Sequence, residues 1–133
     1  MKKISDFSNK NLLLVDDDSP FRERLARAME KKGFHVSQAE SVKKGIESVK
    51  QSCPGFAVVD LRLGDGNGLE VVKEIKKKGP DSRVIMLTGY GNIPTAVAAV
   101  KDGAIDYLAK PADAEDVEKA LLADPDKKAS PPE

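Results

Sequence analysis

The chain has 133 residues, with 22 Lys+Arg against 22 Asp+Glu, and is 40% hydrophobic and 33% charged. That length suits one domain with a single apolar core, and the composition excludes wholesale disorder. Zero net charge removes the bulk electrostatic argument for nucleic acid or an anionic membrane, so this segment is expected to bind neither.

Short aliphatic runs alternate with longer amphipathic stretches. NLLLV at 11 to 15 reads as a strand buried on both faces. Phe21, Leu25, Ala28 and Met29 then recur at helical spacing, with Ser19 as the expected cap, Pro20 in the first turn and Gly33 as the stop. FHVSQA gives a second strand, and SVKKGIESVKQS a helix capped by Ser41. GFAVVD ends a third strand at Asp60, and GLEVVKEIKKKG is a helix stopped at Gly79. RVIMLT is the fourth strand, IPTAVAAVKDG a small-residue helix, AIDYLAK the fifth strand and DAEDVEKALLA the last helix.

This alternation implies a parallel sheet covered by helices on both faces, with ligands bound beyond the carboxyl ends of the strands. The tail DPDKKASPPE has no apolar periodicity and reads as a linker. The single cysteine, Cys53, excludes an intrachain disulfide and a Cys/His zinc cluster. No apolar run approaches the ~20 residues of a membrane span, and MKKISDFSNK lacks the apolar stretch of a signal peptide, so a cytoplasmic protein is expected.

The strand ends hold the chemistry. Strand one runs into Asp16, Asp17 and Asp18, strand three into Asp60, strand four into Thr88 and strand five into Lys110. Any one of these could be a helix cap or a structural strand residue. Together on one rim they form an oxygen-only set without imidazole or thiolate, suited to a hard cation such as Mg²⁺. With a hydroxyl and an ammonium added, the set matches a phosphoryl site.

LLLVDDD, VVDLRLGDGNGLE, IMLTGYG and DYLAKPAD, in that order, resemble the receiver domain of two-component response regulators. The wording is most similar to the RegA/PrrA/ActR-type redox response regulators. The resemblance implies an N-terminal extension over 1–10, a receiver over 11–123, and over 124–133 the start of a proline-containing linker to an output domain absent from this chain. It implies a doubly wound (βα)5 fold of the flavodoxin/CheY type with strand order 2-1-3-4-5.

The resemblance also assigns roles. Asp60 would be the phosphoacceptor, attacking a phosphohistidine on a sensor histidine kinase. Mg²⁺ would be bound by Asp17, Asp60 and the backbone carbonyl of Arg62, with Asp16 holding a metal-bound water. Lys110 would pair with Asp60 and then with the phosphoryl group, and Pro111 occupies a position often preceded by a cis peptide bond.

Thr88 would move toward the phosphoryl group and free space for Tyr107, switching the surface around the fourth helix, fifth strand and fifth helix. That switch would control a DNA-binding output domain, in the redox group a Fis-like helix-turn-helix, and a homodimer could form on phosphorylation. Arg62 and Tyr90 would tune the phosphate's lifetime, and Asp18 would stand at the rim. On this reading the chain is no turnover enzyme, catalysing only its own phosphorylation and dephosphorylation. Gly64 and Ala112 depart from the commonest family pattern, and GDGNG is expected to leave its loop more flexible.

LLLVDDDS, LTG and KP also fit a haloacid-dehalogenase-like phosphatase with Asp16 as nucleophile. That assignment leaves Asp60 without a role and supplies no acidic strand end after Lys110. A third reading is an inactive receiver that serves only as an interaction module.

Overall fold

The computed structural model describes residues 3 to 89 and 106 to 123, together with Pro94, Val97, Val100, Lys101 and Ala104. Tyr90, most of the expected fourth helix and the tail 124–133 lie outside the described residues.

Five strands form one parallel sheet: β1 (Asn11–Val15), β2 (His35–Ala39), β3 (Phe56–Asp60), β6 (Arg83–Thr88) and β7 (Asp106–Ala109). Their order is β2-β1-β3-β6-β7. With the small strands β4 (Arg62–Leu63) and β5 (Gly66–Asn67) set aside, this is the expected 2-1-3-4-5 order. The helices are α1 (Ser19–Lys31), α2 (Val42–Gln51), α3 (Leu69–Lys78) and α4 (Ala114–Leu122), the last being the fifth helix of the sequence reading. Of the fourth, Pro94, Val97, Val100 and Lys101 are described, and all are helical.

Side chains on a strand alternate between faces, so the unbroken apolar run of β1 serves two half-cores. Leu13 and Val15 pack with Val42 and Val49 of α2 and with Val71, Val72 and Ile75 of α3. Leu12 and Leu14 pack on the other face with Leu25, Ala26 and Met29 of α1 and with Val117, Ala120 and Leu121 of α4. In the central strands β3 and β6 the buried polar residues, Asp60 and Thr88, stand at the carboxyl ends, so chemistry is displaced to that rim.

Local chemistry fixes the helix starts. Ser41 caps α2 as expected, its Oγ accepting the Lys44 N–H at 3.1 Å. At α1 the expected Ser19 cap is corrected: Asp18 is the N-cap, its Oδ1 accepting the Phe21 N–H at 3.1 Å, and Ser19 is already inside the helix. A carboxylate there also meets the positive end of the helix dipole. The stops hold, with Gly33 at φ 106° after α1 and the Gly79 N–H donating to Ile75 O at 2.7 Å.

Two segments to which the sequence reading assigned no element take part in the fold. The stretch before β1 packs onto the core: Ile4 and Phe7 lie against the α1/α4 half, and Phe7 meets Phe56 edge-on with ring centroids 5.0 Å apart. The glycine-rich stretch after Asp60 is a hairpin, in which Arg62 pairs with Asn67 and Leu63 with Gly66. Its ends are drawn together by the Gly68 N–H, which donates to Leu61 O at 2.8 Å.

Gly68 is required there by proximity, since a Cβ at this position would lie 2.1 Å from Asp60 O and 2.9 Å from a Val59 methyl. Gly64, at the hairpin turn, has nothing within 4 Å of that position. Gly68→Ala is therefore expected to destabilise the fold by roughly 2–3 kcal/mol, as overpacking against backbone does, while Gly64→Ala stays near neutral. Urea unfolding of the two variants side by side checks this, and equal midpoints would contradict it.

Candidate functional site

Hydrogen bonding between neighbouring strands continues one residue past several strand ends and holds the site's backbone. Asp16 N–H donates to Ala39 O at 3.0 Å, Leu61 N–H to Leu87 O at 2.9 Å, and Lys110 N–H to Thr88 O at 2.8 Å. Strand alternation then sorts the side chains. Asp16 continues the row of Leu12 and Leu14, Asp60 the row of Phe56 and Val58, and Lys110 the row of Leu108, all on the α1/α4 side.

These three residues meet. Lys110 Nζ lies 3.0 Å from Asp16 Oδ2 and 3.4 Å from Asp60 Oδ2, so one ammonium serves two carboxylates. Both acids are buried, with Asp16 2% and Asp60 7% exposed. The bond preceding Pro111 is cis.

Removal from water, followed by the repulsion of Asp16, pushes the Asp60 carboxyl up to about 6; Lys110 and the Arg62 N–H pull it down without offsetting that rise. Burial acts against the Lys110 ammonium, but its contacts with Asp16 and Asp60 outweigh burial and raise its pKa.

Asp17 completes an acidic group. One carboxylate oxygen from each of Asp16, Asp17 and Asp60 can be chosen so that all lie within 4.8 Å of one another, with Asp17 exposed. Three carboxylates without a nitrogen or sulfur donor fit a hard dication better than zinc or copper. Arg62 has an exposed side chain and donates its backbone N–H to Asp60 Oδ1 at 3.4 Å. Asp18 belongs to the α1 cap, with its own N–H given to Asp16 Oδ1 at 2.9 Å.

Thr88 and Tyr107 share the opposite parity. Thr88 continues the row of Val84 and Met86 and is 1% exposed, with its Oγ1 donating to Gly89 O at 3.2 Å. Tyr107 pairs with Met86, two pairs behind Thr88 and Ala109, and packs half-buried against the α2/α3 half-core.

Two supporting residues escaped the sequence reading. Arg22 is buried, and its Nη1 donates to Asp16 O at 2.6 Å while its Nε donates to Gln38 Oε1 at 2.9 Å, tying the loop after β1 to β2. Its signal was a charge inside the apolar stripe shared with Leu25, Ala26 and Met29. Phe21, read as an apolar-face residue, has its ring centroid 4.8 Å from Lys110 Nζ, in reach of a cation–π contact.

Comparison with known proteins matches residues 12–122 to the response regulator receiver domain. The acid tolerance regulatory protein ActR of Sinorhizobium medicae is 58% identical over 94% of this chain and 64% of its own length. The photosynthetic apparatus regulatory protein RegA of Rhodobacter capsulatus is 57% identical over 95% of this chain and 68% of its own length. This chain thus spans about two thirds of the length of those relatives.

Among solved structures, a response regulator from Burkholderia pseudomallei, determined with a phosphorylated aspartic acid, a calcium ion and citrate, is 40% identical. It aligns with a TM-score of 0.82 over 90% of this chain and 70% of that one. Among the described residues no helix is long and apolar enough to cross a membrane. With a parallel β2-β1-β3-β6-β7 sheet, acids at the ends of β1 and β3, and a family match over residues 12–122, the chain belongs to the response regulator receiver domain family.

Proposed function

We propose that this domain accepts a phosphoryl group on Asp60 from a sensor histidine kinase. The consequent switch acts on the surface around the fourth helix, β7 and α4, and controls a DNA-binding output domain in redox-responsive transcription. The observation that carries the reading is the Lys110 ammonium held between Asp16 and Asp60 inside a three-carboxylate group. The relatives named above are regulatory proteins, in keeping with a transcriptional role for the longer protein. A cytoplasmic setting and a homodimer of the phosphorylated form belong to the same proposal.

Asp60 acts as the nucleophile. One carboxylate oxygen forms a bond to phosphorus as the phosphorus–nitrogen bond of phosphohistidine breaks, and the electron pair leaves with the imidazole, which takes up a proton. Above pH 6 Asp60 is predominantly ionised in the fold, as this attack requires. Lys110 is placed to follow the charge from the carboxylate to the phosphoryl oxygens, while its bond to Asp16 keeps it oriented. Asp16, Asp17 and Asp60, with the Arg62 carbonyl, would hold Mg²⁺, which supplies positive charge against the acids and the incoming phosphoryl oxygens.

Thr88 then donates its hydroxyl hydrogen to the phosphoryl group instead of to Gly89 O. Its departure opens space on the face it shares with Tyr107, and the equilibrium shifts toward the conformation that binds the added charge better. Arg62 and Tyr90 tune access of water, and Asp18 acts only through the helix start.

Incubation with acetyl phosphate and Mg²⁺ is expected to add one phosphoryl group by intact mass, and Asp60→Ala to abolish the gain. Labelling that persists in Asp60→Ala would sink the assignment. Sustained phosphate-ester turnover surviving Asp60→Ala but lost in Asp16→Ala would instead favour the phosphatase reading.

Charge on Asp60 opposes folding when no metal is present. Its pKa in the fold, about 6, exceeds the ordinary 3.8, so its contribution to stability is full below pH 3.8 and is lost as pH rises through 6. Asp60→Asn should therefore raise the urea midpoint of metal-free protein at pH 7.5 and leave it nearly unchanged at pH 3.5. Protons compete with Mg²⁺ for the same carboxylate, so apparent Mg²⁺ affinity should fall about tenfold per pH unit below 6 and level off above it. A Mg²⁺ affinity flat between pH 5 and 7 would contradict the account.

A further inference from the structure

The hairpin after Asp60 is fastened at a point that none of the roles above uses. Asp65, in the turn between β4 and β5, accepts the Val42 N–H on Oδ1 at 2.8 Å and the Lys43 N–H on Oδ2 at 3.1 Å. Val42 and Lys43 are the first two residues of α2, whose opening N–H groups have no partner within the helix. Ser41 satisfies the next one, at Lys44. The start of α2 therefore has two caps, one local and one reaching from a hairpin 23 residues away.

The anchor on the α2 side is firm, because Val42 and Val49 are buried in the half-core beneath the helix. On the hairpin side the neighbouring residues are Gly64 and Gly66, and a side chain at Gly64 would meet only open space. The same hairpin brings the Arg62 N–H to Asp60 Oδ1 and returns to β3 through the Gly68 N–H bond to Leu61 O. At its far end the Asn67 Oδ1 accepts the Leu69 N–H at 2.8 Å. Leu63 adds an apolar anchor, buried in the same half-core as Val42, and the two N–H bonds of Asp65 are the polar tie from the turn itself to α2. The two N–H bonds also hold the Asp65 carboxyl below the usual carboxylate range, as expected for a charged cap.

We propose that Asp65 is a positioning residue, pinning the hairpin to the N-terminus of α2 and thereby fixing the Arg62 backbone beside Asp60 for Mg²⁺ and phosphoryl binding. The part concerning phosphorylation rests on the assignment of Asp60 as phosphoacceptor; the anchoring of the hairpin does not.

Three variants separate positioning from simple helix capping. Asp65→Ala removes the long-range cap, Asp65→Asn keeps one oxygen able to accept an N–H, and Ser41→Ala removes the local cap from the same helix while leaving the hairpin fastened. Hydrogen exchange at Arg62, Leu63 and Gly64, Mg²⁺ titration, and the labelling rate with acetyl phosphate at subsaturating Mg²⁺ are measured on each.

Asp65→Ala is expected to speed exchange at those three amides, weaken Mg²⁺ about tenfold, as loss of an outer partner does at metal sites, and slow labelling in parallel. Asp65→Asn should fall between Asp65→Ala and wild type, and should remain measurable even where the alanine variant is too unstable. Ser41→Ala should lower stability without moving Mg²⁺ affinity or hairpin exchange. Equal shifts in Asp65→Ala and Ser41→Ala, or no shift in Asp65→Ala or Asp65→Asn, would overturn the proposal. Absence of labelling on Asp60 in the wild type would count against the phosphoacceptor assignment alone, and the exchange arm would still decide whether Asp65 fastens the hairpin.

Discussion

A single ammonium shared by two buried carboxylates is the constraint around which the carboxyl edge of the sheet is organised. Like charges about 4 Å apart repel by about 4 kcal/mol at the effective dielectric near a protein surface, so Asp16 and Asp60 need a cation between them. Lys110 supplies one positive charge against three acids, and burial together with the repulsion of Asp16 still leaves the Asp60 carboxyl elevated. A metal-free site of this kind is electrostatically unfinished. On the proposed function that deficit is useful, because it is the driving force for a dication and leaves the lysine free to follow a phosphoryl group.

The sheet also divides the labour. Its three central strands, β1, β3 and β6, are apolar on both faces, so polar groups collect where they end, and alternation assigns each group to a side. Asp16, Asp60 and Lys110 fall with α1 and α4, while Thr88 and Tyr107 fall with the other half-core. Thr88 is the strand-end hydroxyl next to Asp60's neighbour in the ladder, since Asp60 pairs with Leu87. A change of partner by its hydroxyl can thus be sensed on the face opposite the acids without any acid leaving its place.

Much of this was legible in the sequence, for identifiable reasons. Buried parallel strands are short and uniformly apolar, so their ends can be located closely, and the residues just past them define the rim. Asp16, Asp17, Asp60, Thr88 and Lys110 were read that way, and Ser41 and Gly79 by their local capping chemistry. Beyond the Lys110–Asp60 pair that the family resemblance implied, long-range polar contacts were not legible. Asp65 looks like an ordinary turn residue until α2 is placed beside it, and Arg22 is only a misplaced charge in an apolar stripe until Asp16 O and Gln38 are in view. The hairpin was hidden by its glycines, which signal freedom in isolation, although Gly68 here permits close approach to β3. Phe7 was missed because one aromatic residue has no periodicity, and its edge-on contact with Phe56 depends on the assembled sheet.

The three successive aspartates show how crowding is resolved by direction. Asp16 turns inward, where Lys110 meets one oxygen and the Asp18 N–H the other. Asp17 remains in solvent, where water screens it, with one oxygen still in reach of the acidic group. Asp18 turns to the start of α1, where the free N–H groups and the helix dipole favour a negative charge. The first turn of α1 closes the arrangement: Phe21 places its ring by the Lys110 ammonium, and Arg22 grips the Asp16 carbonyl from the buried side. A rigid shift of α1 therefore cannot occur without disturbing both the lysine and the backbone of the buried acid, so this helix is part of the site's construction as well as its neighbour.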